Sequence, residues 1–408
     1  MDKKPAEKEI KQMGFRAMRW ERSIANDLLN WYFSNEVSLA RMRKFGQAIE
    51  QVIQKYTFQF NNANLVATKL PDVLKSCDDL AFDDISEVFA YAALHLLDRY
   101  GRITQILEYL MKTGRLPLRK VGISLLEVGA GPAPAGYAVR DFYSLLSRYP
   151  RLGDVKVAPL KTLDTIDRGK GWDFFLHYLS ECLMSEKSFK FNDGSLSFRR
   201  SIDDLKGLDL HKRHHNSVLA YAFLMAREYD DADEYLPDAA IRRLAYQEGV
   251  SEPSAYDYIF ICNFLSRLDM IDRFETEILH LAYSLTPGGL LIVIGAVGSK
   301  YQTIYKKIRQ LTAKANLLEI SPPDSMQSNT DVERFSLVAQ HVRTNVAFFL
   351  SRCTAATRAE ISGQLPRDIT SNTYSFSLPR FQALIFVRQG PASKQRNKHG
   401  KKRSKQKE

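Results

Sequence analysis

The chain has 408 residues, is 45% hydrophobic and carries a net charge of +11, so it is long and apolar enough for at least one full core. Its cysteines are far apart and show no metal-ligand spacing, which argues against a disulfide framework or zinc site and favours a reducing cytoplasm. The first residues hold no apolar leader segment, and the longest apolar run, 288–298, is shorter than the ~20 residues of a membrane-spanning helix. We therefore expect a cytoplasmic protein with no membrane segment and no metal.

Residues 1–118 are predicted to form a helical N-terminal region. Apolar residues recur at helical spacing in 15–33 and again in 85–111, with charged residues between them. Gly101 interrupts the second pattern and predicts a break in that helix. We expect this region to be a helical extension of the domain that follows.

Residues 119–390 change to short apolar runs that alternate with helical patterns, which predicts an α/β domain. Strands are expected at 123–128, 162–166, 258–261 and 290–294, with helices at 137–146, 172–184, 271–285 and 301–314. Residues 287–289, Pro-Gly-Gly, are expected to form a turn, and 374–376 with 383–387 an antiparallel C-terminal hairpin. Strands that alternate with helices imply right-handed crossovers and a mostly parallel sheet covered on both faces. The predicted fold is therefore a three-layer, Rossmann-like domain.

Two segments do not follow this alternation. Residues 206–255 are too long for an ordinary connection between two strands and are predicted to be an insertion. Residues 391–408 are predicted to be a disordered tail, with eight lysines and arginines and one glutamate. Such a tail can bind RNA or another polyanion through counterion release, or only keep the chain soluble, and the sequence leaves both open.

The strongest local signal is the run LLEVGAGPAPA at 125–135, in which a buried strand enters a glycine turn that opens a helix. Gly129 permits the tight turn, and Gly131 leaves the backbone open to a ligand. The helix is expected to present unpaired amide groups to that ligand. A dinucleotide site fits poorly, because Pro134 holds the third glycine position of the G-x-G-x-x-G pattern and no acid is well placed for the ribose. A tight turn without any ligand is the other alternative.

This run resembles motif I of the class I (Rossmann-like) S-adenosylmethionine-dependent methyltransferases, in which an apolar strand and an acid precede a G-x-G turn. Four further segments resemble later motifs of that family in the same order, at 165–168, 201–205, 256–263 and 285–293. The resemblance covers about 123–387 and implies a seven-stranded sheet, S-adenosylmethionine as cofactor, and methyl transfer as the activity.

The resemblance also implies which residues surround the cofactor. Gly129, Ala130 and Gly131 would flank its methionine part. Glu127 would lie near the amino group, or would instead be a structural acid that holds the turn amides.

Further acids and the end of the fourth strand complete the site that the resemblance implies. Asp167 would accept hydrogen bonds from the ribose hydroxyls, with Asp164 as the alternative acid and a helix N-cap as the structural alternative for Asp167. Asp203 or Asp204 would meet the adenine edge. Cys262 and Asn263 at the end of the fourth strand would also border the cofactor, with a small buried residue as the alternative for Cys262. Asn263 and Phe264 would lie where the methyl group is delivered, and a catalytic base is optional because the sulfonium is already activated.

The methyl acceptor is not identified by the sequence. Asn263 and Phe264 are not followed by the Pro-Pro pair of the amino-group nucleic-acid methyltransferases, and Cys262 lacks the Pro-Cys context of the cytosine-C5 enzymes. The basic tail and Lys300, Lys306, Lys307 and Arg309 favour RNA or a ribosome-associated acceptor. A small molecule or a protein is the alternative acceptor, and a non-catalytic binding protein that kept the fold is the alternative function.

Overall fold

The structure is a computed structural model. It describes residues 22–34, 37–76, 80–118, 122–149, 160–185, 197–201, 256–327, 332–366, 369 and 380–389. The predicted insertion, the basic tail, the 374–376 strand of the hairpin, and the candidate residues Asp203 and Asp204 lie outside the described residues.

The N-terminal region is helical. Its helices are α1 Arg22–Ser34, α2 Val37–Phe60, α3 Ala63–Ser76, α4 Ile85–Tyr91 and α5 Leu97–Lys112. A π-helical turn, Ala92–Leu96, joins α4 to α5, so the chain runs on as one long helix. Gly101 does not break this helix, contrary to the sequence prediction. A Cβ at Gly101 would lie 3.1 Å from Met42 Cε, so the glycine lets α2 and α5 pack closely.

In the described part of the chain, eight strands form one sheet. They are β1 Ile123–Val128, β2 Leu160–Ile166, β3 Ser197–Ser201, β4 Tyr256–Cys262, β5 Leu285–Ala296, β6 Leu317–Glu319, β7 Met326–Gln327 and β8 Arg380–Arg388. The strand order is β3-β2-β1-β4-β5-β8-β6, and β7 pairs with β8. The first five strands are parallel, whereas β8 is antiparallel to β5, β6 and β7. The predicted mixed, mostly parallel sheet is confirmed.

The stretch 287–289 was predicted as a turn before a strand, but it lies inside β5. The pairing of β5 with β4 shifts register across this stretch, so the extra residues form an irregularity in the strand instead of a separate turn. Gly288 takes a φ of +78°, which only glycine adopts without steric cost. The Pro-Gly-Gly sequence does produce a local irregularity, but strand pairing before and after these residues continues β5 through them.

Helices cover both faces of the sheet. Those that follow β1 are α6 Pro134–Leu146, α7 Gly171–Ser185, α8 Leu268–Arg273, α9 Glu275–Tyr283, α10 Ser299–Lys314, α11 Val332–Ser351 and α12 Ala355–Gln364. Because successive strand residues point to opposite faces, Leu125 and Phe260 belong to one buried apolar cluster, and Leu126 and Ile259 to the other. The first cluster contains residues of α1–α7, α11 and α12, and the second contains residues of α8–α10. The N-terminal helices thus complete one layer of the domain by sharing its core.

No helix within the described ranges combines the length and the apolar content that crossing a membrane requires.

Candidate functional site

The turn after β1 is tied to the end of β2. Gly129 and Gly131 take φ values of +62° and +50°, in the left-handed region that favours glycine. The N–H groups of Gly129 and Ala130 both donate to the carbonyl of Ile166, at 2.9 and 3.2 Å. The Gly131 N–H donates to Asp167 Oδ2 at 2.7 Å. These bonds fix the turn against the neighbouring strand.

The Cβ direction of each glycine faces an aromatic side chain. A Cβ on Gly129 would lie 2.8 Å from Phe264 Cβ, and one on Gly131 would lie 3.4 Å from Trp172 Cε2. Gly129 is therefore needed so that Phe264 can pack against the turn, and Gly131 leaves only ordinary contact space below the indole ring. The sequence suggested the tight turn as the reason for Gly129 and ligand access as the reason for Gly131, and the structure adds this packing reason.

Two residues at this edge of the sheet hold left-handed backbone conformations without being glycine. Ala133 precedes α6 with a φ of 55°, and Asn263 follows β4 with a φ of 53°. Such a conformation costs an L-residue about 1–2 kcal/mol and persists where the surroundings fix it, often at functional sites. The Asn263 N–H donates to the Ile294 carbonyl at 2.8 Å, which holds the chain in this position.

Glu127 lies beneath the turn. Its side chain is fully buried, and its two carboxylate oxygens accept the N–H groups of Ala135 and Gly136 at 3.0 Å each. Burial raises the pKa of Glu127 to about 8, against the opposite effect of the two N–H bonds. Of the two predicted roles, this geometry matches the structural acid.

The prediction that the first amides of α6 are unpaired is therefore wrong for Ala135 and Gly136, whose N–H groups donate to Glu127. A pyrophosphate group binds to such helix amides, so it would have to displace a fully buried carboxylate from this helix. The dinucleotide alternative does not fit this turn.

Asp167 lies just after β2 and faces the same edge of the sheet. Its Oδ2 accepts the Gly131 N–H, and its Oδ1 accepts the Gly169 N–H at 2.7 Å. Asp164, the alternative acid, lies inside β2 and accepts a hydrogen bond from the Tyr256 hydroxyl at 2.5 Å. Of these two aspartates, Asp167 lines the cavity at this edge and Asp164 does not.

A cavity of about 300 Å³ opens above the glycine turn. Its lining includes six of the residues predicted for the cofactor site: Gly129, Ala130, Gly131, Asp167, Cys262 and Asn263. Glu127 is absent from the lining because it lies under the turn. The cavity lies where the strand order reverses between β1 and β4, at the carboxyl ends of the strands. Open α/β sheets bind their ligands at such a switch point.

Several lining residues escaped the sequence analysis. The N-terminal region contributes Leu80, Ala81, Phe82, Tyr91 and Arg99 to the cavity. Tyr91 directly precedes the π-helical turn and Arg99 lies three residues after it. Such turns often occur at functional sites. The position of both residues depends on how the N-terminal helices pack on the sheet.

The segment after β4 and the start of α7 supply the other walls that the sequence did not reveal. These residues are Trp172, Arg267, Asp269, Met270, Arg273 and Phe274, and they lie beside Phe264, which the sequence did place near the methyl group. They form a mixed aromatic and charged surface around the cavity.

Cys262 lines the cavity as a neutral thiol. Burial holds the pKa of its thiol well above the usual value. Because the thiolate is the nucleophilic form of cysteine, Cys262 is not activated for nucleophilic attack at neutral pH.

The cations of helix α10 are largely balanced by neighbouring acids. Lys307 lies 2.8 Å from Asp272, and Arg309 lies 2.9 Å from Glu319. In the sequence, Lys307 and Arg309 were two of the residues that favoured RNA or a ribosome-associated acceptor. Their ion pairs weaken that argument, because these charges are partly neutralised in the fold.

No protein-family model matches the chain, and no curated protein is significantly similar to it in sequence. Among solved structures, it is similar to the cyclase SpnF, with 15% identity, 72% of this chain and 82% of that chain covered, and a TM-score of 0.35. It is also similar to a phosphoethanolamine N-methyltransferase from Haemonchus contortus in complex with phosphomonomethylethanolamine and S-adenosylhomocysteine, with 10% identity, 76% and 61% covered, and a TM-score of 0.37.

A third similar structure is the N-methyltransferase NodS from Bradyrhizobium japonicum in complex with S-adenosylhomocysteine, with 12% identity, 79% and 98% covered, and a TM-score of 0.32. The last two are methyltransferases with the product of the cofactor bound, which is the class of protein that the sequence resembles. TM-scores this low do not carry a function over to this chain, so its own cavity has to support one.

Proposed function

We propose that this protein is an S-adenosylmethionine-dependent methyltransferase whose cofactor binds in the cavity above the glycine turn. The observation that supports this most is that one cavity is lined by the ends of three neighbouring parallel strands, through Gly129, Gly131, Asp167, Cys262 and Asn263. Its volume of about 300 Å³ lies at the lower end of the range for small-molecule sites.

Asp167 is the residue we propose for the ribose hydroxyls. Its Oδ2 accepts the Gly131 N–H and its Oδ1 accepts the Gly169 N–H, so the carboxylate lies at the wall of the cavity between two backbone amides. The same two bonds hold the carboxylate in a fixed orientation. An acid that is oriented in this way before the ligand arrives binds a pair of hydroxyls with little loss of conformational freedom.

The charge around the turn favours a cationic ligand over a pyrophosphate. The Asp167 carboxylate lies beside the backbone that would contact the methionine part. Glu127 lies beneath the turn, and because burial raises its pKa to about 8 it is mostly protonated at neutral pH and adds little negative charge. Glu127 would act through the turn that it holds, because its side chain is fully buried. Gly129, Ala130 and Gly131 would contact the cofactor directly, while Asp203 and Asp204 remain proposed for the adenine edge from their place in the sequence after β3.

The cofactor supplies a methyl group on a positively charged sulfur, which needs no further activation as a leaving group. The protein has to align the acceptor and exclude water. Phe264 and Phe274 line the cavity next to Asn263, with their ring centroids 5.4 Å apart, and form an apolar wall suited to excluding water. The side-chain amide of Asn263 can both donate and accept hydrogen bonds, which would let it orient the molecule that receives the methyl group.

Titration calorimetry of the full chain with S-adenosylmethionine and S-adenosylhomocysteine tests this proposal. We expect both to bind in the micromolar range and NAD to give no heat, because Glu127 occupies the helix amides that a pyrophosphate needs. Absence of binding at millimolar S-adenosylmethionine would contradict the proposal and would favour a non-catalytic binding protein that kept the fold.

RNA or a ribosome-associated acceptor is the finer proposal, and the basic tail is its main support because two of the α10 cations, Lys307 and Arg309, are ion-paired. A chain that ends at residue 390 should then lose most of its affinity for RNA and much of its methylation of RNA, while its affinity for S-adenosylhomocysteine stays the same. Unchanged RNA affinity and activity in that chain would argue for a small-molecule or protein acceptor.

A further inference from the structure

One hydrogen-bond donor in the cavity wall has no acceptor. Trp172, in the first turn of α7, is only 1% exposed and lines the cavity, and its indole Nε1–H has no hydrogen-bond partner. Among the described residues of the lining, it is the one whose buried side-chain polar atom lacks a partner. Buried polar groups in native proteins are nearly always hydrogen-bonded, so this donor requires an explanation.

The indole N–H lies between two glycines that bond to Asp167. A Cβ on Gly131 would lie 3.7 Å from Trp172 Nε1, and a Cβ on Gly169 would lie 3.0 Å from it. The N–H groups of both glycines donate to the Asp167 carboxylate. The free donor is therefore next to the acid that we propose for the ribose hydroxyls.

The N-terminal region holds this wall in place. The Gly171 N–H donates to the Phe82 carbonyl at 3.1 Å, and the Lys170 N–H donates to Asp83 Oδ1 at 3.2 Å. A Cβ on Gly171 would lie 2.7 Å from the Phe82 carbonyl oxygen, so the two segments are in direct backbone contact. The segment 80–83 is thereby fixed to the loop that carries Asp167 and leads into α7.

Aromatic packing fixes the indole ring as well. Its centroid lies 5.0 Å from that of Phe82 at an interplanar angle of 43°, and 5.4 Å from that of Tyr91 at 81°. The three rings fill the space between them, so Trp172 cannot turn its N–H towards another protein acceptor without losing these contacts. The donor is thus fixed next to the Asp167 loop, in a side chain that lines the cavity.

We propose that Trp172 is a ligand-binding residue whose indole N–H donates to an oxygen or nitrogen acceptor on the nucleoside part of the bound cofactor, beside the hydroxyls bound by Asp167. This inference rests on the proposed function. It also makes residues 80–91 of the N-terminal region part of the nucleoside subsite, because Phe82 and Tyr91 orient the ring that carries the donor.

Calorimetry of the Trp172→Phe variant with S-adenosylhomocysteine tests the donor. Phenylalanine keeps an aromatic ring against Phe82 and Tyr91 but removes the N–H, so the dissociation constant should rise about tenfold. Trp31→Phe is the matched control, because Trp31 packs on Tyr149 at 5.1 Å and does not line the cavity. Its dissociation constant should stay at the wild-type value.

A second measurement uses the wild-type chain and does not depend on how the Trp172→Phe variant folds. The chain contains three tryptophans, so protein labelled with 15N at the indole nitrogens gives three indole N–H signals, which Trp31→Phe and Trp20→Phe assign by elimination. Saturating S-adenosylhomocysteine should shift the Trp172 signal and slow its hydrogen exchange, while the Trp31 signal stays in place.

The outcomes separate this inference from the proposed function. Tight binding of S-adenosylhomocysteine with an unmoved Trp172 signal and unchanged exchange would overturn the inference and leave the methyltransferase proposal intact. A wild-type chain that does not bind S-adenosylhomocysteine at all would overturn both.

Discussion

The ends of β1 and β2 offer a comparison within one sheet, because each carries an acid that accepts two backbone N–H groups. Glu127 lies inside β1, fully buried, and both of its bonds go to the first amides of α6. Asp167 lies one residue beyond β2, and its two bonds go to glycines of the turn and loop at the cavity. Because Glu127 lies inside its strand, its side chain reaches a helix that covers the sheet. Because Asp167 lies past the end of its strand, its side chain reaches the cavity. Glu127 therefore holds the turn, whereas Asp167 faces the cavity.

The largest expected effect comes from removing the buried acid. Glu127→Ala leaves two backbone N–H groups without an acceptor, so the free energy of unfolding should fall by about 3 kcal/mol. Urea unfolding followed by circular dichroism measures this. The control is Asp269→Ala, whose side chain is 71% exposed and which should change stability by less than about 0.5 kcal/mol. Equal effects in both variants would show that Glu127 does not hold the turn.

Asp167, the acid at the cavity, should affect cofactor binding more than folding. Asp167→Ala should weaken S-adenosylhomocysteine binding about thirtyfold, or about 2 kcal/mol, because it removes charge-assisted bonds to the ribose and to the loop. Calorimetry measures the change, and urea unfolding should show a smaller loss than in Glu127→Ala. Asp164→Ala is the matched control, three residues earlier and inside β2, and its affinity should be close to wild type. A larger effect at Asp164 would reverse the assignment of the two acids.

The raised pKa of Glu127 predicts that the free energy of unfolding depends on pH. Its folded-state pKa is about 8 and its ordinary value is 4.5, so the unfolded chain releases this proton first as the pH rises. Between these values the unfolded state binds fewer protons, and the contribution to stability declines by up to about 1.4 kcal/mol per pH unit. It is fully present below pH 4.5 and is lost as the pH passes about 8.

Urea unfolding of the wild-type chain and the Glu127→Gln variant at a series of pH values measures this effect. Other titrating groups contribute equally to both proteins, so the stability of the wild type relative to Glu127→Gln should fall as the pH rises from about 4.5 and change little above about 8. Parallel curves would contradict the raised pKa.

The smallest effect is expected at the turn that lies between the two acids. Gly131→Ala should lower the free energy of unfolding by about 1 kcal/mol, because a φ of +50° is unfavourable for alanine. The new Cβ would lie 3.4 Å from Trp172 Cε2, so steric overlap should add little. Gly363→Ala is the control, since no atom lies within 4 Å of its Cβ position inside α12, and the variant should be at least as stable as wild type. Thermal unfolding compares the two, and equal stability would mean that the turn relaxes to accept alanine.

The sequence predicted the local elements around the site well, because each one is encoded in a short stretch. Short apolar runs marked β1, β2 and β4, and the glycines at 129 and 131 marked the turn. The sequence could not choose between the two roles of Glu127, since either role requires an acid at the end of that strand. The distinction came from the distance between the Glu127 carboxylate and two amides of the next helix.

Predictions failed where distant parts of the chain decided the local structure. Gly101 reads as a helix break by its own propensity, yet Met42 from another helix packs against it and the helix continues. Residues 287–289 read as a turn, yet pairing of β5 with its neighbours carries the strand through them. Local propensities of about 1 kcal/mol per residue are too small to resist tertiary contacts of this kind.

By itself, the sequence determined β1, β2 and β4 with the helices that follow the first two, the glycine turn after β1, and the acids at the ends of β1 and β2. Hydrophobic periodicity and backbone preferences act over a few residues and can be read directly from the chain. Only the tertiary structure decided that Phe82 and Tyr91 pack on Trp172 and that Asp167 rather than Asp164 faces the cavity. These contacts join residues far apart in the chain, and the burial of a shared core brings them together.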